Sequence, residues 1–358
     1  MQLRVILSIS RTQDIQAYLH RVAKRRGLTK ELSAALVELL RKNPTRSSPL
    51  RKGVEKALPT DTESRFHLLR VVETPFLQME PVYSQQVQST LSRLVNERQN
   101  LGALLEAGLE PTRTVLFTGP PGVGKTLGAH WVARELGLPL MILDLSAVMS
   151  SYLGRTGSNL RHVLDYAKSI DCVLLLDELD AIAKRRDDSG EIGELKRLVT
   201  VLLQQLDDWP SSGLLIAATN HSDLLDPAVW RRFEQPIDFE LPTEAGIQAF
   251  LGALFEQVAP DMSTWVDILS ISLVGKSYSE IEREVTLARR SAALSGQGLD
   301  NYLFQLVTTD QHSKKERLEI ALRLVRNGLT TQRKAQEITG VARDTIRTHL
   351  KNDAILEA

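Results

Sequence analysis

Residues 119–126 read Gly-Pro-Pro-Gly-Val-Gly-Lys-Thr, an octet whose residue types and spacing suit the binding of a polyphosphate. Glycines let backbone N–H groups approach phosphate oxygens because no Cβ stands in the way, and the N-terminus of a following helix adds a favourable field. Lys125 would reach the β- and γ-phosphates, and the Thr126 hydroxyl suits Mg²⁺. The octet therefore predicts binding of ATP with Mg²⁺. The alternative is a glycine-rich turn that happens to contain a lysine, and the apolar run before it and the helical pattern after it disfavour that alternative.

The nucleotide is expected to lie against the octet and the residue that follows it. These residues are Gly119, Pro120, Pro121, Gly122, Val123, Gly124, Lys125, Thr126 and Leu127.

A pair of acids follows a second apolar run, Val173 to Leu176, about fifty residues later in the chain. Asp177 is placed to organise the water shell of Mg²⁺, together with Thr126, and Glu178 to orient and deprotonate the water that attacks the γ-phosphate. An acidic turn is the alternative interpretation of the pair. We interpret Asp180, two residues on, as a cap on a helix over 181–185.

A third apolar run, 214–218, leads to an amide at Asn220. An amide can hold the attacking water or a γ-phosphate oxygen without adding charge. Taken alone, an Asn at the end of a strand is more often a turn residue. The prediction of a catalytic role for Asn220 therefore depends on the two motifs before it.

Short apolar runs alternate with helical patterns through the middle of the chain, which predicts an α/β fold with a parallel sheet covered by helices on both faces. Helical spacing alone continues from Thr243 to about Val307 and predicts a helical lid. The expected strands are 114–118, 141–145, 172–176 and 214–218, and the expected helices are 85–107, one after Thr126, 159–168 and 195–206.

The two ends of the chain differ from the middle in composition. Residues 1–60 contain 13 Lys and Arg against 4 Asp and Glu, and residues 311–358 contain 10 against 6, although the whole chain is neutral. The excess of basic residues suggests that the two ends of the chain bind partners. The alternative is that they are only solvated surfaces. We predict a basic helical region at 1–42 and a linker rich in Pro and Ser at 43–64.

Length and cysteine content limit the classes of protein. A chain of 358 residues predicts two or three folded units. Its single cysteine, Cys172, lies in an apolar run, which excludes an internal disulfide framework and predicts a packing role. The sequence contains neither an apolar stretch long enough for a membrane span nor a secretory signal, so we expect a soluble, cytoplasmic protein.

Four motifs in order, the octet, the acid pair, Ala218-Thr-Asn220 and the segment 225–233 (Leu-Asp-Pro-Ala-Val-Trp-Arg-Arg-Phe), resemble those of the AAA family of ATPases. The resemblance covers about residues 70 to 310 and implies a P-loop NTPase sheet over 65–242 with a helical lid over 243–310. It also implies an oligomeric ring, commonly a hexamer, in which the arginines before Phe233 enter the nucleotide site of a neighbour. Those arginines are Arg231 and Arg232, without the Pro-Gly insertion that usually separates them, and we favour Arg232.

The segment Ser151-Tyr-Leu-Gly154 resembles the pore loop of family members that thread polypeptides. Tyr152 and Leu153 would then grip an extended chain. The alternative is a tyrosine that covers the core at a loop.

The end of the chain, 311–358, has a separate pattern. A helix ending at Gly328 precedes two further helices joined at Gly340, with Ala335, Ile338, Val341, Ile346 and Leu350 facing inward, which fits a helix-turn-helix. It is similar to the three-helix DNA-binding units of the Fis kind. The residues that would face DNA are Arg343, Thr345, Arg347 and His349, with Lys334 and Lys351 near phosphate. A small helical module that docks protein is the alternative.

Three functions are consistent with these patterns. In the first, an ATPase ring threads or remodels a protein substrate, and here the chain most resembles single-module AAA ATPases that bacteria encode beside a subtilisin-like protease in anti-phage defence. In the second, the ATPase is a switch that assembles on DNA through its tail. The third, a scaffold that only binds ATP, is disfavoured by Glu178.

Overall fold

The computed structural model describes residues 69–145, 156–181, 192–256, 262–307 and 312–356. The predicted N-terminal helical region 1–42, the linker 43–64, and the pore-loop residues Tyr152 and Leu153 lie outside these residues.

One six-stranded sheet forms the centre of the α/β part, in the order β1-β3-β4-β5-β2-β6. All neighbouring strands are parallel except β1, which pairs antiparallel with β3 at one edge. The predicted fold class, a parallel sheet with helices on both faces, is confirmed. The strands are β1 (Arg70–Val72), β2 (Thr114–Thr118), β3 (Leu140–Asp144), β4 (Val173–Asp177), β5 (Leu214–Ala218) and β6 (Gln235–Asp238).

Helices cover both faces of this sheet because its strands alternate their apolar side chains between two cores. Leu174 and Leu176 of β4 belong to one core, and Val173 and Leu175 belong to the other. The helices of this part are α1 (Gln85–Gln99), α2 (Leu101–Glu106), α3 (Lys125–Leu136), α4 (Thr156–Lys168), α5 (Ile192–Asp207) and α6 (Pro227–Trp230).

Two sequence expectations for this region need correction. The single helix predicted over 85–107 is two helices, because the chain leaves the helical conformation at Asn100 (φ −109°, ψ 35°). The edge strands β1 and β6 were not predicted. Cys172 is fully buried, as expected, and burial raises the pKa of its thiol to about 12.

Within the described parts of 244–307, four α-helices follow the sheet and are called the lid helices here: α7 (Glu244–Glu256), α8 (Ser263–Ser272), α9 (Tyr278–Ser295) and α10 (Asp300–Leu303). They enclose their own core, which includes Ile247, Leu251, Trp265, Ile281 and Val285. Ser277 and Glu280 form a reciprocal capping box at the start of α9, so this helix has a fixed beginning.

Three helices complete the described chain: α11 (Lys314–Arg326), α12 (Gln332–Thr339) and α13 (Arg343–Leu356). Gly340, with φ 70°, ends α12 in the left-handed conformation and starts the turn to α13. Ala335 and Ile346 are fully buried between the helices, as predicted. Ile320 and Leu324 of α11 belong instead to the core of the lid helices.

Contacts of side chains also join α11 to the lid helices. Arg323 donates to the backbone oxygen of Asp267 at 2.9 Å and lies 3.6 Å from Glu244. Nε2 of the buried His312 lies 2.9 Å from the carbonyl oxygen of Ile271. The boundary predicted at 310 stays a prediction, but the helices on its two sides share a core. Among the described helices, none has the length and apolarity required to cross a membrane.

Candidate functional site

The octet 119–126 forms a loop between the end of β2 and the start of α3. Gly119, Gly122 and Gly124 have φ values of 133°, 80° and 98°, a region that side chains with a Cβ rarely adopt. A Cβ on Gly119 would collide with the carbonyl oxygen of Phe239, and one on Gly122 would lie 2.6 Å from Oγ of Ser277. Backbone shape therefore favours glycine at all three positions, and available space also excludes a Cβ at Gly119 and Gly122.

Lys125 projects into this loop and is largely buried. Its Nζ donates to the carbonyl oxygens of Gly119 (2.7 Å) and Pro120 (2.8 Å) and to Oδ1 of Asn220 (2.7 Å). Burial lowers the pKa of this ammonium to about 8, against the opposing effect of nearby carboxylates, with Asp177 foremost. Lys125 and Asn220, which were both predicted to act at the nucleotide, are thus hydrogen-bonded to each other.

Asp177 and Glu178 lie at the carboxyl end of β4, beside the loop. Oγ1 of Thr126 donates to Oδ2 of Asp177 at 3.1 Å, and the backbone N–H of Glu178 donates to Oδ1 of the same carboxylate at 3.0 Å. Glu178 is exposed and has φ 56°, the only positive φ outside glycine among the described residues. Such a conformation in a residue with a Cβ costs energy and is concentrated at functional sites.

Asp180 links the ends of two strands, which its sequence context did not indicate. The carboxylate is buried, and its Oδ1 accepts from Oγ1 of Thr219 (3.1 Å) and from the backbone N–H of Asn220 (3.3 Å). Residues 182–185 of the helix that it was expected to cap lie outside the described chain. Asp180 therefore helps to hold the backbone of Asn220 in position. Its role as a helix cap stays a prediction.

A cavity of about 680 Å³ opens beside these groups and lies within the size range of cofactor sites. Its lining includes polar groups, from residues 121–126 of the octet, Asp177, Glu178 and Asn220, together with many apolar side chains. Such a cavity suits a charged polyphosphate attached to a flat base. The apolar and aromatic lining residues include Phe76, Leu77, Met79, Pro81, Val82, Phe250, Leu254 and Tyr278.

The lid helices touch the phosphate loop directly. The backbone N–H of Ser279, in the first turn of α9, donates to the carbonyl oxygen of Gly122 at 3.1 Å. Tyr278 beside it lines the cavity. The first turn of α9 therefore faces the nucleotide site.

Tyr83 contacts the phosphate loop as well, and no pattern in the sequence indicates this contact. Its hydroxyl donates to the carbonyl oxygen of Gly124 at 3.2 Å, and its ring meets Phe239 edge to face at 5.5 Å between centroids. Burial raises the pKa of the phenol well above its usual value. A tyrosine 41 residues before its partner carries no local signal in a sequence.

Arg231 and Arg232 lie far from this cavity and do not line it. Oγ1 of Thr114, at the start of β2, donates to the carbonyl oxygen of Arg232, whereas the phosphate loop follows the end of the same strand. The four residue steps of β2 separate the two places by roughly 13 Å. Arg232 also pairs with Asp207 at 2.6 Å, while the exposed Arg231 has no acidic partner among the described residues.

The side chains predicted to face DNA are exposed on α13 but flank the buried Ile346 on two sides of the helix, with Arg343 and Arg347 on one side and Thr345 and His349 on the other. Arg343 and Arg347 are one helical turn apart, as are Thr345 and His349. Lys334, expected near phosphate, instead places its Nζ 4.6 Å from the ring centroid of Phe304, beside the lid helices.

Comparisons with known proteins agree with this geometry. The family described as "ATPase family associated with various cellular activities (AAA)" matches residues 115–241. The chain is 36% identical over 287 residues to the uncharacterized AAA family ATPase y4kL of Sinorhizobium fredii, and covers 86% of that protein with 80% of its own length.

Two further relatives are matched over part of their length. An ATP-dependent zinc metalloprotease, FtsH 3 of Sphaerobacter thermophilus, is 35% identical over 53% of this chain and 40% of its own length. The proteasome-activating nucleotidase of Archaeoglobus fulgidus is 36% identical over 55% of this chain and 52% of its own length. The chain thus spans about half or less of these two proteins. Because the match to the Sinorhizobium protein covers 80% of this chain and 86% of that protein, this protein belongs to the AAA family of ATPases and is an enzyme that binds and hydrolyses ATP.

Proposed function

We propose that this ATPase works as a ring, commonly a hexamer in its family, in which each nucleotide site is completed by an arginine of the adjoining subunit. The observation that carries the proposal is the separation of roughly 13 Å along β2 between the arginine segment and the phosphate loop. An arginine held at that end of the sheet can stabilise a transferring phosphoryl group only in another subunit.

The residues at the phosphate loop divide the work of hydrolysis. Lys125 binds the β- and γ-phosphates, Asn220 orients the attacking water, and Glu178 accepts its proton as the water oxygen attacks the γ-phosphorus and ADP leaves. Thr126 and Asp177 offer hydroxyl and carboxylate oxygens 3.1 Å apart, the donor set that Mg²⁺ prefers, and would hold it. When bound, Mg²⁺ would neutralise charge on the phosphate oxygens.

Of the two arginines, we favour Arg231 over the Arg232 expected from the sequence. The ion pair of Arg232 with Asp207 is half-exposed and contributes at most about 1 kcal/mol, yet Arg231 can extend towards a neighbour without breaking any such pair.

Two measurements test the shared site. ATP turnover per chain should rise with protein concentration, because dilution separates the subunits. Mixing the two inactive variants Glu178→Gln and Arg231→Ala should restore turnover, since some sites then combine an intact glutamate with an intact arginine. Arg232→Ala serves as the matched control and should be much more active than Arg231→Ala, whose loss should reach about a thousandfold. Full turnover per chain in a dilute monomer would exclude an arginine acting between subunits.

We propose protein remodelling or threading as the work that hydrolysis drives, with a protease partner in bacterial phage defence as its setting. Support comes from the relatives named as a metalloprotease and as a proteasome-activating nucleotidase, and from the resemblance of the segment containing Tyr152 and Leu153 to a pore loop. Tyr152→Ala should leave basal ATP turnover within about twofold of the parent while abolishing the processing of a co-purified substrate, because the proposed role of Tyr152 is to grip the substrate and not to bind or cleave ATP. Unchanged processing would remove the threading proposal.

A second candidate function is a switch that assembles on DNA through its C-terminal helices. It is favoured by the exposed side chains of α13, Arg343 and Arg347 on one side of the helix and Thr345 and His349 on another, and by the Gly-centred turn before this helix.

A further inference from the structure

One wall of the nucleotide cavity is a segment that is neither helix nor strand. It covers residues 73–84, between the end of β1 and the start of α1, and we call it the strap. Most of the residues from Phe76 to Tyr83 line the cavity. Because the strap lacks the regular backbone hydrogen bonds of a helix or a strand, its position depends on the contacts of its side chains.

The strap contacts both parts of the molecule that border the cavity. Met79 and Val82 pack against the core of the lid helices. Tyr83 packs against a core of the sheet, and its hydroxyl donates to Gly124 of the phosphate loop. The strap therefore bridges the lid helices and the α/β part at the place where the nucleotide binds.

Glu80 fastens the middle of the strap to α3. Its neighbours in the sequence, Met79 and Pro81, both line the cavity. Nη1 and Nη2 of Arg134 donate to the two carboxylate oxygens of Glu80 at 2.6 and 2.9 Å. These hydrogen bonds lower the pKa of the Glu80 carboxyl, with a smaller contribution from the indole of Trp131. A guanidinium that binds both oxygens fixes the orientation of a carboxylate as well as its distance.

Helix α3 connects this ion pair to the phosphate loop. Arg134 lies in the last turn of α3, about 14 Å along the helix axis from Lys125 in the first turn. A nucleotide in the cavity would therefore meet two positions that one helix holds at a constant separation. Arg134 also donates to Glu135 at 2.8 Å, so it has two acidic partners, of which Glu80 belongs to the strap and Glu135 does not.

We propose that Arg134 is a positioning residue for the nucleotide, which holds the strap against the bound nucleoside through Glu80 and thereby slows the release of ADP. Arg134 does not line the cavity, so it acts through Glu80. The Glu80 side chain is 69% exposed, so the pair contributes little to the stability of the fold, and its loss should change release severalfold without abolishing binding. The inference requires ATP binding but not the proposed ring.

Release of ADP from the full chain tests this role. A fluorescent ADP analogue, bound with Mg²⁺ and displaced by excess unlabelled ADP in a stopped-flow instrument, gives the rate of dissociation. Glu80→Gln and Arg134→Gln should each speed release at least about threefold, as expected for the loss of a partly exposed ion pair. Glu135→Gln is the matched control, since it removes the other acid of Arg134, and should release ADP at the rate of the parent.

Inorganic tripolyphosphate separates the strap from the phosphate loop. It can occupy the phosphate loop but has no nucleoside to meet the strap. Glu80→Gln should therefore leave the affinity for Mg²⁺-tripolyphosphate unchanged, while calorimetry shows a loss of affinity for unmodified ADP.

Reversal of the charges tests whether the pair itself is responsible. Glu80→Arg alone should speed release, because it places two guanidinium groups together. Glu80→Arg combined with Arg134→Glu should return the rate to within about twofold of the parent, since an arginine at position 80 then faces acids at 134 and 135.

Three outcomes would overturn the inference. The first is release at the parental rate in both Glu80→Gln and Arg134→Gln. The second is an equal loss of affinity for ADP and for tripolyphosphate, which would show that the pair supports the phosphate loop and not the strap. The third is the absence of recovery when the charges are reversed. None of them bears on an arginine acting between subunits, so the proposed ring is tested separately.

Discussion

Lys125 holds its charge in an unfavourable environment, and this gives ATP binding a dependence on pH. Because burial lowers the pKa of the free ammonium to about 8, a rising fraction of the protein is neutral at Lys125 above that pH. A bound triphosphate favours the charged form, so binding must take up a proton at alkaline pH. We expect ATP affinity to fall by about tenfold between pH 7.5 and pH 9.

Calorimetry in buffers of different ionisation enthalpy measures this proton uptake directly. Uptake should be near zero at pH 7 and approach one proton per site by pH 9. An affinity that stays constant over this range, with no proton taken up, would contradict the assignment of the pKa to Lys125.

The positions of single site residues followed from sequence to different degrees. Lys125, Asp177 and Glu178 could be placed because each directly follows a continuous apolar run or belongs to the octet. The left-handed backbone of Glu178 and the hydrogen bond from Thr219 to Asp180 could not be predicted. Both depend on how the neighbouring strands β4 and β5 end.

Tyr83, just before α1, fastens the phosphate loop at the scale of the element. Tyr83→Phe removes only the hydroxyl group. The carbonyl oxygen of Gly124 still accepts the helical hydrogen bond from the backbone N–H of Gly128 at 2.8 Å. The expected loss in the free energy of unfolding is therefore about 1 kcal/mol or less. Tyr83→Ala also removes the ring from Phe239 and should cost about 3 kcal/mol.

Denaturant unfolding of the two variants checks this prediction, and ATP affinity should fall more in Tyr83→Ala than in Tyr83→Phe. Equal stability of all three proteins would show that the ring and the hydroxyl of Tyr83 do not fasten the loop.

Elements with continuous apolar runs were predictable, and short edge elements were not. The central strands β2 and β5 are buried throughout, so their sequences contain few polar interruptions. The edge strand β6 reads Gln-Pro-Ile-Asp, with a proline that is tolerated because only one side of the strand pairs with a neighbour. The break at Asn100 also escaped prediction, since its amide bonds to the preceding turn at Asn96.

At the scale of the whole molecule, the C-terminal helices offer a test of the DNA-associated alternative. If α13 reads DNA, Arg343→Ala with Arg347→Ala should weaken binding of duplex DNA by about tenfold or more and flatten its dependence on salt. Arg333→Ala is a control on α12, where Arg333 lies 3.4 Å from Glu337 and is turned to solvent.

Fluorescence anisotropy with a labelled duplex over a range of salt concentrations measures both quantities. Equal affinity of the double variant and the parent would leave α13 as a surface for protein contacts.

The burial of Ile320 and Leu324 among the lid helices has a practical consequence for anyone who dissects this protein. A fragment cut out at Ser313 would show both side chains to water and would lose the support of Arg323 on Asp267. A fusion that contains only the last three helices should therefore aggregate unless it also includes residues 244–306.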